Sequence, residues 1–164
     1  MHKKLDCPIK NVGLYELEFR EDFRGWLTET WRTDEQHLGL NVMPPVMAYL
    51  SMTKPEETRG PHEHVVQWDR FVFFDGQFSL CLWENRERTP ALDNYRERLV
   101  YVVGKGNPVM VEVPPGVVHG YKNTGEREAY VLNLPNCLYA GFGKQRKVDE
   151  VRWEADTDSP FIMP

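Results

Sequence analysis

Three of the five histidines stand in one arrangement. His62-Glu63-His64 is followed by Asp69 and then Gly76, and Pro114-Pro115-Gly116-Val117-Val118-His119 runs on to Asn123. Three imidazoles and a carboxylate form a ligand set for a divalent first-row metal, with coordination positions left over for a substrate. Zinc, iron, nickel and manganese all suit His62, His64, Asp69 and His119, and the residue types do not choose among them. Residues i and i+2 of a strand share a face, so His62 and His64 converge if they lie on one. The turn at Pro114-Pro115-Gly116 then brings His119 in from another strand. The competing reading is four hydrogen-bonded polar groups in a barrel core without an ion. Burying that many ionisable groups uncompensated is costly, which favours the metal. Gln67 and Asn123 are candidates for holding a ligating imidazole in its metal-binding tautomer.

The elements that must position these groups read as short strands punctuated by turns. Strands are expected over 13–18, 25–31, 46–53, 62–67, 70–75, 77–84, 97–103, 108–113, 117–121 and 128–134. Val109, Val111 and Val113 fall on one face, and Phe78, Leu80 and Leu82 alternate with Ser79, Cys81 and Trp83. Turn chemistry separates them: Asp75-Gly76, Gly104-Lys105-Gly106, Pro114-Pro115-Gly116 and Asn123-Thr124-Gly125. Helical periodicity is weak, with one turn near Thr33–His37. Many short strands at this length imply an all-β sandwich or barrel. Residues 1–164 read as a single domain with an irregular tail over about 135–164.

Composition narrows the function. A net charge of −5 with interspersed signs and no basic stripe argues against a nucleic-acid surface. Cys7, Cys81 and Cys137 are odd in number and far apart, which points to a reducing compartment rather than a disulfide scaffold. The start, MHKKLDCPIK, carries no apolar run, and no stretch approaches the roughly 18 apolar residues of a membrane helix. A cytoplasmic protein without membrane attachment is the expectation.

The two blocks resemble the paired signature motifs of the cupin barrel: His-x-His, a gap, an acidic residue and Gly, then Pro-x-Gly-x-x-His-x-x-x-Asn. Asp69 stands where glutamate is commoner. A closer resemblance covers most of the chain. Asp22-Phe23-Arg24-Gly25 with Glu29, Arg59-Gly60-Pro61-His62, Asn85-Arg86 with Thr89-Pro90, Pro115-Gly116-Val117-Val118-His119-Gly120 and the Trp153 region look like signatures of the dTDP-4-dehydrorhamnose 3,5-epimerase family. The resemblance implies an all-β cupin fold, a double-stranded β-helix or jelly roll. It implies an isomerase acting on a dTDP-linked 4-keto-6-deoxy sugar, with His62 as general base and Arg24, Glu29, Arg59 and His119 binding the nucleotide-sugar. It also implies a homodimer to which N-terminal strands, about 1–45, contribute. The arginines make physical sense, since a guanidinium fork matches a pyrophosphate. The bland alternative is salt bridging to Glu56, Glu57 and Glu63.

The chain departs from the pattern in three places. The family's lysine facing the substrate carbonyl is replaced by Asp69 or Arg70. The tyrosine acting as general acid is replaced by Leu132 or Asn133, leaving Tyr121 and Tyr139 as acids by position. The aspartate that partners the histidine falls in a C-terminal segment that this chain, ending at Pro164, is expected to lack. A metal held by His64, Asp69 and His119 could replace the lysine as Lewis acid, although His62 cannot be ligand and base at once. Two further readings stay open: a metal-dependent cupin oxygenase, and a non-catalytic barrel binding a sugar or another metabolite. Trp68, Phe71, Phe73 and Phe74 are expected in the core or at an interface rather than against a ligand.

Overall fold

A computed structural model describes residues 2–34, 44–86 and 98–164. Among them run thirteen strands: β1 Lys3–Lys4, β2 Gly13–Glu16, β3 Arg20–Asp22, β4 Gly25–Leu27, β5 Tyr49–Thr53, β6 Thr58–Glu63, β7 Asp69–Phe73, β8 Gln77–Glu84, β9 Arg98–Gly104, β10 Val109–Val113, β11 Val117–Asn123, β12 Ala129–Asn133 and β13 Val151–Arg152. They build a six-stranded sheet, β1-β2-β10-β7-β12-β5, and a five-stranded sheet, β13-β6-β11-β8-β9, while β3 and β4 form a separate hairpin. All pairings are antiparallel. The expected all-β cupin architecture is what the chain forms. No helix among the described residues is long and apolar enough to cross a membrane.

The inner faces of the two sheets enclose the main core. Val109, Val111 and Val113 meet Phe71, Phe73, Phe78, Leu80 and Leu82 there, all nearly inaccessible. The alternation seen in the sequence is only half the pattern, because the other faces are covered too. Tyr15, Leu17, Val72 and Met110 pack outside the six-stranded sheet under Phe19, Phe74, Leu132 and Leu134. Cys81, Trp83 and Val118 pack outside the five-stranded sheet under Phe161, Trp153 and Met163 from the tail. Of the aromatics expected to be structural, Phe73 lies in the core.

Several boundaries differ from expectation. The 62–67 segment is displaced: β6 begins at Thr58 and ends at Glu63, so His62 is on the strand and His64 just beyond it. The expected 25–31 strand ends at Leu27. The tail, expected to be irregular throughout, contributes β13 to the edge of β6. Thr33 and Asp34 lie in a turn; the rest of that predicted helical turn, and Thr89-Pro90, fall outside the described residues.

Candidate functional site

The histidine cluster is assembled where β6, β7 and β11 meet at one end of the barrel. His119 is directly paired with His62 across the β6–β11 ladder. Two residues further along β11 the register has slipped: Tyr121 pairs with Arg59, so β6 spends an extra residue on the same span of β11. Such a bulge bends the strand and re-aims its side chains. Gly60 absorbs it at φ +76°, with His119 O only 2.6 Å from where a Cβ would sit. Any larger residue there would push His62 off its partner. The ring centroids of His62 and His119 lie 4.4 Å apart, and those of His62 and His64 5.5 Å apart.

Asp69, the first residue of β7, points into the same space. Its Oδ2 lies 2.9 Å from His64 Nε2 and 3.3 Å from His119 Nε2. Yet Asp69 Oδ2 and His119 Nε2, both buried, make no hydrogen bond of acceptable geometry. The other imidazole nitrogens explain this. His119 Nδ1 faces Val117 O at 3.0 Å and His64 Nδ1 faces Asp149 O in a short contact. A carbonyl can only accept, so each Nδ1 carries the proton and each neutral imidazole turns an Nε2 lone pair toward Asp69. Two lone pairs thus converge on one carboxylate oxygen. A shared proton would join His64 to Asp69 only, and the His64 pKa is indeed raised: burial opposes this, but the Asp69 hydrogen bond and charge outweigh it. A divalent cation would bond all three. One ligand atom each from His62, His64, Asp69 and His119 falls within 4.8 Å of the others, so the residues present fit a metal.

The polar surroundings hold this geometry. Gln67, expected to support an imidazole, lies with its amide nitrogen 3.1 Å from His64 Nε2 and donates to Asp69 Oδ1 at 3.0 Å. Asn123, the other candidate, does not reach the cluster: its amide bridges Thr53 O and Arg127 O and fastens the β11–β12 turn. Asn133 Nδ2 donates to the same Asp69 Oδ1 at 2.9 Å. Asp69 is therefore pulled below the ordinary carboxylate range. Burial would raise it, and the imidazoles beside it outweigh that.

The C-terminal segment closes the cluster from above, a feature the sequence reading missed. The Asp149 carboxylate accepts the backbone N–H groups of Val65, Val66 and Gln67 at 2.8–3.1 Å and so shapes the loop carrying His64. Glu150 Oε1 lies 3.8 Å from His62 Nε2. The tail that was expected to lack a carboxylate partner for His62 supplies one. Burial, then the nearby His119 and His64, push the His62 pKa down to about 2, so its imidazole stays neutral.

A cavity of about 1430 Å³ opens above the cluster, lined on one side by Arg59, His62 and His64, on the other by Tyr49, Ser51 and Phe71, and at its mouth by the tail. Arg59 is tethered at its wall, donating to Thr53 Oγ1 and Met52 O. Tyr121 and Tyr139 also line it, and Phe71 does so where Trp68, Phe73 and Phe74 do not. His119 lies behind the wall, 2% exposed. Arg24 and Glu29 are not brought here. Arg24 stands on the exposed β3–β4 hairpin, paired with Asp22, and Glu29 pairs with Arg32.

An all-β double sheet with paired His-x-His and Pro-x-Gly-x-x-His blocks at its open end defines the cupin class. Within it, residues 20–141 match the family described as "Polysaccharide biosynthesis C-terminal domain", and the chain belongs to that family. It is 31% identical over 132 residues to the "Probable low-salt glycan biosynthesis epimerase Agl13" of Haloferax volcanii, covering 80% of this chain and 81% of that protein. Its fold is shared by a dTDP sugar isomerase from Desulfovibrio desulfuricans, with a TM-score of 0.77 at 21% identity over 94% of this chain and 92% of that one. The dTDP-4-dehydrorhamnose 3,5-epimerase of Bacillus anthracis, solved with TDP and pyrophosphate bound, superposes with a TM-score of 0.76 at 17% identity over 100% of this chain and 93% of that one.

Proposed function

We propose that this protein is an isomerase that inverts a carbon beside the ketone of a dTDP-linked 4-keto-6-deoxy sugar. The observation that carries the reading is His62: a neutral imidazole on the wall of a cavity large enough for a nucleotide-sugar, with a carboxylate 3.8 Å from its Nε2. The curated relative named an epimerase, and the dTDP-sugar enzymes that share the fold, support it. A hydrogen beside a ketone is acidic enough for a neutral imidazole when the enolate oxygen is stabilised. His62 Nε2 takes that proton, and Glu150 stabilises the imidazolium formed. Arg59, Lys144, Arg146 and Lys147 give the mouth the cations a pyrophosphate needs.

His64, Asp69 and His119 are the residues that would hold a divalent metal, leaving His62 as base. Such an ion would supply Lewis acidity toward the enolate oxygen, since no lysine stands among the described residues of the cluster itself. Plasma mass spectrometry should find near-stoichiometric metal in the purified protein and none in the His64→Ala/Asp69→Ala double variant. The exposed β3–β4 hairpin, with Phe23 97% accessible, is read as the contact of a homodimer that carries Arg24 and Glu29 to the partner's cavity. Light scattering that gave a monomer mass would remove that part. Three free cysteines suit a cytoplasmic setting.

The test of the main reading is exchange. Incubated in deuterated water with dTDP-4-keto-6-deoxyglucose, the protein should place deuterium beside the ketone. A substrate recovered without deuterium would overturn the isomerase.

A further inference from the structure

We infer that the Tyr49 hydroxyl is the proton donor that completes the inversion, delivering its proton to the sugar carbon from the side opposite His62. The inference deepens the isomerase reading and rests on it. Inversion needs two groups, one removing a proton from one face and one returning a proton to the other. β12 offers no such group toward the cavity: Leu132 is apolar and Asn133 is an amide. The β5–β12 register nevertheless sets Tyr49 directly opposite Asn133, and their side chains meet, with Asn133 Nδ2 2.8 Å from the Tyr49 oxygen.

The direction of that bond follows from its neighbours. Asn133 Oδ1 accepts the backbone N–H of Arg70 at 3.2 Å, and a backbone N–H can only donate. Asn133 Nδ2 faces Asp69 Oδ1 at 2.9 Å, and an ionised carboxylate can only accept. The amide is therefore fixed end for end, and its second N–H must donate to Tyr49. A phenol that accepts a hydrogen bond keeps its own proton for another partner. Burial, which outweighs the Asn133 hydrogen bond, raises the Tyr49 pKa to about 12, so the proton is in place.

The walls supply the opposition. Tyr49 belongs to the six-stranded sheet and His62 to the five-stranded sheet, and both line the one cavity. The other tyrosines fit less well. Tyr121 is 5% exposed, shares its hydroxyl with Ser51 Oγ at 2.9 Å and packs among Phe71, Phe73 and Phe78. Tyr139 stands on the tail rather than on the wall formed by the six-stranded sheet. In the proposed step a C–H bond breaks to His62, which becomes imidazolium. A new C–H bond forms with the Tyr49 proton, leaving phenolate, and exchange with water restores both groups.

The experiment follows deuterium and stereochemistry together in Tyr49→Phe, using dTDP-4-keto-6-deoxyglucose in deuterated water. The variant should still exchange at the carbon beside the ketone, because His62 removes and returns protons on its own face, while inverted product falls at least about 100-fold. A residue that only shaped the cavity would lower exchange and inversion together. Inversion by Tyr49→Phe at the parent rate, parallel loss of both activities, or uncoupling that appears in Tyr121→Phe or Tyr139→Phe instead would overturn the assignment. A parent protein that neither exchanges nor inverts would sink the isomerase reading itself, which is a separate outcome.

Discussion

The cluster end of the barrel and the β3–β4 hairpin both carry arginine–carboxylate pairs, and the two could hardly be more differently made. Arg70 and Glu112 meet at 2.8 Å across β7 and β10, with side chains 3% and 5% exposed. Arg24 and Asp22 meet at 2.5 Å across one intervening residue, 74% and 46% exposed. The first pair needs two strands distant in sequence to be in register, and its charges have no water to fall back on. The second costs little to break, because solvent takes up both ions. The barrel interior thus uses long-range buried charge here, while the exposed hairpin keeps its arginine on a local pair.

The contrast can be broken at several points. The largest effect belongs to the cavity base: His62→Asn should lower solvent exchange of the sugar by about 10²–10⁴-fold, read by mass spectrometry, with the unfolding curve little changed. Glu112→Gln should leave the Arg70 charge buried without its carboxylate, costing about 3–5 kcal/mol in urea unfolding. Asp149→Asn should cost about 1–2 kcal/mol by weakening the lock on the 65–67 backbone. That contribution carries a pH signature. Burial acts to raise the Asp149 pKa, but the Val66, Gln67 and Val65 N–H groups outweigh it and leave it lowered. Its stabilisation is therefore present above the ordinary aspartate range and fades as pH falls through the lowered value, so Asp149→Asn should flatten that acid limb of stability against pH. Arg24→Ala should shift stability by no more than about 0.5 kcal/mol. A loss of several kcal/mol at Arg24 would erase the distinction between the two regions.

How far these regions could be read from sequence follows the same division. His62, His64, Asp69 and His119 were legible because each lies in a short block whose spacing and turn residues act locally. The β8 strand was legible to its ends, with Asp75-Gly76 before it. The bulge at Gly60 was not, since it is a property of β6 against β11, and β6 itself starts four residues upstream of the expected strand. Asp149 and Glu150 were invisible because they reach His64 and His62 across some 85 residues with no motif around them. Tyr49 was hidden for a related reason: its role depends on the partner that β12 presents to it.

The clasp of the tail over the 65–67 loop has a consequence for the order in which the protein becomes competent. A chain still emerging from a ribosome holds all three cluster histidines by residue 119, yet the carboxylate beside His62 and the carbonyl that sets the His64 tautomer arrive only with residues 149 and 150. Residues 149 and 150 reach the cluster on the same segment whose Trp153, Phe161 and Met163 cover the five-stranded sheet, so the stretch that completes the cluster also seals that face of the barrel.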